Sequence, residues 1–305
     1  MRGSIRGCPL TELAVPVGAV PARPSRLTRL RRAPYLRNRA AVAGAVVVVL
    51  LLLMVVLPQL FTGQDPIDQD LKASLQPPGA EHLLGTDKQG RDNWARVVYG
   101  AQATLLGALI VVVVSGVIGI PLGLVSGFYG GRVDNLIMRG LDMLLAFPAL
   151  LLAILIVSTF GRGLTTAALA LGIVYVPAIA RVVRSVTLVQ RNQAYVEAAR
   201  AQGFPQRRII FRHILPNITS PIIVQSSVDL AYAILDIAAL SFLGLGVQPP
   251  DPDWGSMVSE GRAFMLLSPW TAVFGGLAIM VAVIAFNLVG DGLRAQFDPR
   301  QREVS

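Results

Sequence analysis

Charged residues, cysteine and lysine are scarce in this sequence, and each shortage excludes a class of protein. Only 15% of the 305 residues are charged, whereas soluble domains carry about 25%. The single cysteine, Cys8, cannot form an internal disulfide and cannot build a metal site by itself. The only lysines are Lys72 and Lys88, and neither lies in a GxxxxGKS/T phosphate-binding loop. The chain therefore has no recognisable means of hydrolysing ATP.

Apolar residues dominate instead, and they occur in long runs. They make up 53% of the sequence, with a mean hydropathy of +0.60. The runs have about 20 residues, the length that crosses a hydrocarbon layer about 30 Å thick. This pattern predicts an all-α integral membrane protein with about six transmembrane helices. The predicted spans lie at about 41–57, 101–128, 136–160, 165–188, 218–240 and 271–289.

The spans divide the chain into five parts. They are a basic N-terminal tail, a first transmembrane helix, an extracytoplasmic loop, a helical core and a C-terminal tail, at 1–39, 40–60, 61–99, 100–293 and 294–305. The N-terminal tail carries nine arginines and no sustained helical period, which is typical of a disordered segment. Within the core, residues 189–216 have helical pattern but are too polar and basic to cross a membrane.

The positions of lysine and arginine predict the orientation. With the tail inside, 21 of the 27 basic residues lie on inner segments and 6 on outer ones. Cytoplasmic segments carry such an excess, so we expect both termini and the 189–216 loop to be cytoplasmic. Cysteines placed at Asp68 or Asp253 should then react with an impermeant reagent outside, and one at Gln206 should not.

The same topology limits the partners. Orientation and attraction to anionic membrane lipid account for the net charge of +9, so nucleic acid is not expected as a partner. The two histidines, His82 and His213, fall on opposite sides of the predicted membrane. No metal site is therefore predicted.

Glycine recurs every fourth residue at the end of the second span, at Gly119, Gly123, Gly127 and Gly131. This spacing places a strip of small residues along one helix face, where two backbones can approach closely. The strip indicates either static helix packing, which we favour, or a sliding contact that accompanies gating.

Two aspartates, Asp229 and Asp236, lie seven residues apart in the fifth span and therefore share a helix face. A charge near the middle of a membrane costs roughly 2.5–3.5 kcal/mol, so both side chains should face protein or water. We favour a polar contact with a neighbouring helix or the lining of a channel over a proton relay, because no basic residue within the membrane near these two aspartates offers an obvious relay partner.

The 189–216 loop contains the sequence YVEAARAQGFPQRRIIFRHILPN, from Tyr195 to Asn217. Its first part predicts a short alanine-rich helix that Gly203 ends and Pro205 prevents from continuing. Taken alone, such a helix is more often an ordinary surface connector, but a short alanine-rich helix parallel to the membrane can also fit a groove on another protein without steric conflict. Glu197 and Arg200 offer charged contacts there.

Six residues of this loop match the pattern EAA-x3-G with a distal LP: Glu197, Ala198, Ala199, Gly203, Leu215 and Pro216. The pattern resembles the EAA motif of permease subunits of bacterial ABC importers. In that family the loop is the coupling helix, which docks on the ATPase subunit. The resemblance implies that Ala199 lies in a helix seated in a groove of that subunit, where a large side chain would prevent docking.

Further segments sharpen the resemblance. HLLGTDKQGRD at 82–92 is similar to the outer-loop signature of the second permease of dipeptide and oligopeptide importers. LSFLGLGVQPPDPDWGSM at 240–257 and GDGLRAQFDPR at 290–300 are similar to the C-terminal half of the same subfamily. The resemblance covers about residues 35–300. One departure is Phe204 and Pro205, which stand where the family often has a small pair.

The resemblance implies the type I importer permease fold and a set of partners. We expect a heterodimer with a homologous permease, two ATPase subunits that bind ATP and Mg, and an extracytoplasmic substrate-binding protein, all at a bacterial inner membrane. This chain is then a non-catalytic subunit that binds no cofactor and works by alternating access. The expected cargo is a di- or oligopeptide, with nickel chelates, glutathione or opines as alternatives. A secondary transporter that uses Asp229 and Asp236 is the rival class.

Overall fold

The computed structural model describes residues 39–297. Long helices make up most of this part of the chain, because a segment in lipid must satisfy its own backbone hydrogen bonds. The helices are α1 (Arg39–Val56), α2 (Asn93–Tyr129), α3 (Gly131–Leu145), α4 (Ala149–Phe160), α5 (Leu164–Gln190), α6 (Ala194–Ala201), α7 (Thr219–Phe242), α8 (Trp254–Arg262) and α9 (Trp270–Phe297).

Five of these helices, α1, α2, α5, α7 and α9, are long and apolar enough to cross a membrane. A sixth span results if α3 and α4 count as one. The all-α fold class and the estimate of about six spans are confirmed. The N-terminal tail before Arg39, with Cys8, lies outside the described residues, as does the C-terminal tail beyond Phe297.

The third predicted span, at 136–160, is not one continuous helix. α3 ends at Leu145, α4 begins at Ala149, and the two helices are bent by 82°. Pro148 explains the break, because its ring disfavours the helical conformation at Phe147 and its nitrogen has no hydrogen to donate. Hydropathy alone predicts an apolar segment and carries no information about its direction.

The ends of two helices differ from the predicted segment boundaries. α2 begins at Asn93, within the segment predicted as a loop, because Asp92 caps it by accepting a hydrogen bond from the Ala95 N–H at 2.7 Å. α2 has 37 residues and is therefore about 55 Å long, so part of it extends beyond a hydrocarbon layer of about 30 Å. α9 continues to Phe297, past the predicted end of the core.

The helices pack around α2 and α5, which lie along one another. α7 contacts both, α9 packs on α7 and α8, and α1 packs on α9 and α2. Following the orientation expected from the sequence, we call the end that carries residues 61–99 the outer side and the end that carries residues 189–216 the inner side. The two sides hold different kinds of contact.

Candidate functional site

Helix α6 turns one face to the rest of the chain and the other face to solvent. Val196 is fully buried and Ala199 is only 4% exposed. Four of the five exposed residues recur at i, i+3, i+4 and i+7 and form one row along the helix, and the fifth, Arg200, lies beside that row. We call this row the exposed stripe: Ala194, Glu197, Ala198 and Ala201.

This geometry corrects the expectation for Ala199. Its side chain packs inside its own chain, so it cannot contact a groove on a partner. Ala198, the preceding residue, is exposed. The two alanines of the motif therefore differ in role, because Ala199 anchors the helix while Ala198 and Glu197 are available to a partner.

Gly203 ends α6 with a defined hydrogen-bond pattern. The Gly203 N–H donates to the Arg200 carbonyl at 2.9 Å, and the Phe204 N–H donates to the Ala199 carbonyl at 3.2 Å. These are the two bonds of a Schellman motif. The φ angle of Gly203 is +77°, a left-handed conformation that a Cβ disfavours. The spacing EAA-x3-G therefore places glycine where the helix must turn.

Phe204 and Pro205, which depart from the family pattern, leave the exposed stripe free. The Phe204 ring packs against the residues that bury α6 and stacks on His213, with 5.8 Å between ring centroids. Pro205 precedes the short helical turn Gln206–Arg208. The bulky ring thus points into the chain and does not alter the surface that α6 presents.

A hydrophobic cluster connects α6 to three long helices. Its members come from α2, α5, the start of α7, α6 itself and the π-helical turn Ile209–Ile214. We call it the inner cluster: Leu124, Phe128, Ile179, Val183, Val196, Ala199, Ile209, Ile210, Ile214, Ile218 and Ile222. The cluster thus places α6 in direct packing contact with the inner ends of α2, α5 and α7.

The remaining motif residues lie beside this cluster. Leu215 packs against it, and Pro216 is exposed in the turn that leads into α7. Arg200 is exposed, and its guanidinium carbon lies 5.4 Å from the centroid of the Phe128 ring. Arg200, which lies between Ala199 and Gly203 of the motif, therefore places an exposed cation next to the exposed stripe.

The glycine strip of α2 lies against α5. A Cβ placed on Gly119, Gly123 or Gly127 would come less than 3.0 Å from an atom of α5. These close approaches favour the packing interpretation of the strip. Gly131 does not belong to it, because this glycine begins α3 and a Cβ there would meet nothing within 4 Å.

Asp229 and Asp236 both have neutral polar partners. Asp229 accepts a hydrogen bond from the Gln225 amide at 2.8 Å, and Asp236 accepts one from the Tyr175 hydroxyl at 2.7 Å. The second bond joins α7 to α5 and is the kind of polar helix contact that we favoured from the sequence. Within residues 39–297, neither carboxylate forms an ion pair.

The outer side holds a buried ion cluster that the sequence did not reveal. We call Asp87, Arg91, Arg96 and Glu260 the outer ion cluster. Arg91 donates to Asp87 at 2.6 Å and to Glu260 at 2.7 Å, and Arg96 donates to both carboxylates. The side chains of Asp87, Arg91 and Arg96 are at most 2% exposed. The cluster fixes the 82–92 segment to the first turn of α2 and to α8.

Electrostatics explains why Asp87 stays ionised in this cluster. Burial alone raises the pKa of its carboxyl, but the Arg96 and Arg91 guanidiniums and two backbone N–H groups outweigh that effect and lower the pKa below 3.8. The i, i+4 spacing of Asp87 and Arg91 was visible in the sequence. Glu260 was not predictable, because it lies 169 residues from Arg91.

Asp253 and Trp254 attach the start of α8 to α2. Asp253 accepts hydrogen bonds from the Ser256 N–H at 2.9 Å and the Thr104 hydroxyl at 2.8 Å, and Trp254 donates to the Val97 carbonyl at 2.8 Å. Burial raises the pKa of Asp253, and its hydrogen bonds offset this only in part. Since Asp253 is fully buried, the expectation that position 253 is open to an outside reagent is wrong.

The bundle of spans with a broken third span and a short exposed helix has the type I ABC importer permease fold. One chain of a solved structure, described as inward facing conformations of the MetNI methionine ABC transporter, superposes with a TM-score of 0.55 at 19% identity and covers 67% of this chain and 97% of that chain. Residues 119–303 match the family described as binding-protein-dependent transport system inner membrane component, and residues 28–78 match the N-terminal TM domain of oligopeptide transport permease C. The chain belongs to this family of ABC importer permeases.

Relatives at 42–44% identity agree with this assignment. The dipeptide transport system permease protein of Alkalihalophilus pseudofirmus is 44% identical over 266 residues, which is 87% of this chain and 88% of that protein. The probable D,D-dipeptide transport system permease protein of Escherichia coli strain K12 is 42% identical over 85% of this chain and 87% of its own. The glutathione transport system permease protein of Pectobacterium atrosepticum is 42% identical over 87% and 89%. The resemblance inferred from the motifs is confirmed.

Proposed function

We propose that this chain forms one half of the membrane channel of an ATP-driven importer of di- or oligopeptides. The importer would contain a homologous permease, two ATPase subunits and a substrate-binding protein, in the inner membrane of a bacterium. The relatives named for dipeptide transport support this cargo. ATP and Mg are bound by the ATPase subunits, and this chain supplies no catalytic residue.

The observation that carries the proposal is the exposed stripe on α6 together with its anchor in the inner cluster. Three of its four residues are alanines, which let a partner's surface approach the helix closely. Glu197 adds one negative charge, and Arg200 lies nearby. When nucleotide binding closes the ATPases, the displacement of α6 passes through the inner cluster to α2, α5 and α7. Those helices then switch the pathway between outward and inward exposure.

The orientation with α6 in the cytoplasm can be tested with single cysteines in a Cys8→Ser background. Asp68 and Gln206 are both exposed in the chain, so a difference in labelling between the two positions reports the side of the membrane and not burial. We expect Asp68→Cys to react with an impermeant thiol reagent added to whole cells and Gln206→Cys to react only after lysis. Labelling of Gln206→Cys in intact cells would reverse the orientation.

The transport function is tested by uptake of radiolabelled dialanine into proteoliposomes that contain the complete complex. Uptake should require ATP, the ATPase subunits and the binding protein together. Uptake driven by a proton gradient without ATP would instead support the secondary transporter that uses Asp229 and Asp236.

Glutathione is a second candidate cargo because one relative at 42% identity is named for it. A competition experiment distinguishes a dipeptide from glutathione as the cargo. Excess unlabelled dialanine should suppress uptake of labelled dialanine, whereas the same excess of glutathione should leave it unchanged. The reverse result would assign the importer to glutathione.

A further inference from the structure

A cleft of about 860 Å³ opens on the outer side of the chain. Four segments form its walls: the 59–67 loop after α1, the first turns of α2, the start of α5 and the 247–252 loop before α8. Its volume lies in the range of about 300–1,000 Å³ that is usual for small-molecule sites. The cleft is separate from α6, the inner cluster and the outer ion cluster.

Hydrogen bonds between the segments that form the walls keep the cleft open before any ligand binds. Gln102 of α2 donates to the Val55 carbonyl at the end of α1 at 2.8 Å. Trp94 of α2 donates to the Phe61 carbonyl at 2.9 Å, and the Gly163 N–H at the start of α5 donates to the Leu245 carbonyl at 3.2 Å. A ligand therefore meets a preformed site, which reduces the ordering that binding requires.

The lining offers hydrogen-bond acceptors and negative charge, so it suits a ligand with N–H donors and a positive charge. Asp65 and Asp251 are exposed and face the cleft, and no lysine, arginine or histidine is among the lining residues. Asp251 has no hydrogen-bond or ion-pair partner within residues 39–297. The amides of Gln102 and Gln248 donate to backbone carbonyls, so their oxygens remain as acceptors.

We propose that this outer cleft binds the ammonium group of a peptide as it enters the importer. An ammonium group has three N–H donors and a positive charge. The lining offers it the Asp251 carboxylate, the Oδ2 oxygen of Asp65 and two amide oxygens, while Asp65 Oδ1 already accepts a hydrogen bond from the Ile67 N–H at 2.9 Å. The inference rests on the proposed peptide import, since it names a part of that cargo as the ligand. Because both carboxylates are exposed, the site is weak and suits a cargo that must leave again.

The test uses the purified complex of this chain with its partner permease and ATPases, in nanodiscs and without the binding protein. Equilibrium binding of radiolabelled dialanine is measured, with N-acetyl-dialanine as a competitor that lacks the ammonium group. Asp65→Asn combined with Asp251→Asn should weaken dialanine binding at least about fivefold. N-acetyl-dialanine should not compete.

Asp68→Asn is the matched control, because Asp68 is an exposed aspartate of the same loop that does not line the cleft; it should bind dialanine like the unchanged complex. Equal binding by the double variant, competition by N-acetyl-dialanine or no binding at all would overturn the proposal. ATP-driven uptake of dialanine by the unchanged complex, reconstituted in proteoliposomes together with the binding protein, tests the proposed function separately.

Discussion

The two sides of the molecule are held together by different chemistry. On the outer side, buried charges and hydrogen bonds join the 82–92 segment, α2 and α8. On the inner side, α6 is attached by the apolar inner cluster, and its other face has only small or charged exposed residues. Breaking a buried ion pair leaves an unpaired charge, whereas hydrophobic contacts are non-directional. We conclude that the outer side is a fixed frame and that the inner side can be displaced.

One ion pair on the inner side refines this comparison. Arg184 of α5 makes two hydrogen bonds to Asp134 of α3, each at 2.5 Å. This pair joins membrane helices to one another and does not include α6. Within residues 39–297, the helix that we expect to receive the ATPase is attached by packing, by the hydrogen bond from the Tyr195 hydroxyl to the Gln190 side chain at 2.8 Å and by the Arg200–Phe128 contact, and by no ion pair.

The largest expected effect comes from breaking the outer ion cluster. Arg96→Met removes one guanidinium, so the two carboxylates of Asp87 and Glu260 are left with Arg91 as their one cation in the cluster. We therefore expect the free energy of unfolding to fall by about 3–5 kcal/mol. Thermal unfolding of the purified chain in detergent measures it. Lys88→Met, an exposed lysine of the same segment, should have almost no effect, and equal melting of the two variants would contradict the fixed frame.

The pH dependence of unfolding provides a second measure of the same cluster. The folded chain lowers the pKa of Asp87 below 3.8, so the ionised carboxylate stabilises the fold above that pH. The stabilisation is lost as the pH falls through the lowered pKa. The difference in melting temperature between the unchanged chain and Asp87→Asn should therefore be largest near neutral pH and shrink in acid. A difference that grows in acid would show that the carboxylate is not stabilised by the arginines.

Overpacking of the inner cluster should have the next largest effect. Ala199→Trp forces a large ring into a packed region, which costs about 1–3 kcal/mol, and the same unfolding measurement applies. Ala198→Trp is the matched control, because it adds the same side chain on the exposed face. Equal destabilisation of the two variants would show that the assignment of faces is wrong.

A smaller effect is expected at the end of α6. Gly203→Ala places a Cβ on a residue with φ of +77° and should cost about 1 kcal/mol. Gln202→Ala, at the neighbouring exposed position, should be neutral. Unfolding in detergent compares the two variants, and unchanged stability of Gly203→Ala would argue against the Schellman motif.

The smallest effect is expected for Asp236→Asn. Asparagine keeps an oxygen that can accept the hydrogen bond of Tyr175 and removes only the ionisation. ATP-driven uptake should survive in this variant and in Asp229→Asn, with no new pH dependence. Loss of uptake in both variants, with normal assembly, would revive the proton relay.

Hydropathy was sufficient to predict the spans, because their length and apolar content depend only on local sequence. It did not predict the bend between α3 and α4, because the effect of Pro148 is on direction and not on hydrophobicity. It also did not show that Ala199 faces inward, since the face of a short helix depends on what lies behind it. That surface is formed by residues as distant as Leu124 and Ile222.

Contacts between distant segments were the least predictable part of the site. The signature at 82–92 was recognised as a sequence pattern. Its structural role, which is to join the segment to α8, depends on the bond from Arg91 to Glu260 and was not visible in the pattern. Asp253 was expected to be accessible because it lies in a polar loop, and the structure buries it against Thr104. The polar character of a loop residue was therefore a poor predictor of whether its side chain is exposed.

The central claim is that the exposed stripe of α6 receives the ATPase while the buried face only anchors the helix. The direct measurement is the amount of ATPase subunit that copurifies with the Ala198→Trp complex, together with its substrate-stimulated ATP hydrolysis. We predict normal abundance of this chain in the membrane, reduced retention of the ATPase and loss of stimulated hydrolysis. An Ala198→Trp complex that retains its ATPases and couples hydrolysis to uptake as well as the unchanged complex would contradict the claim.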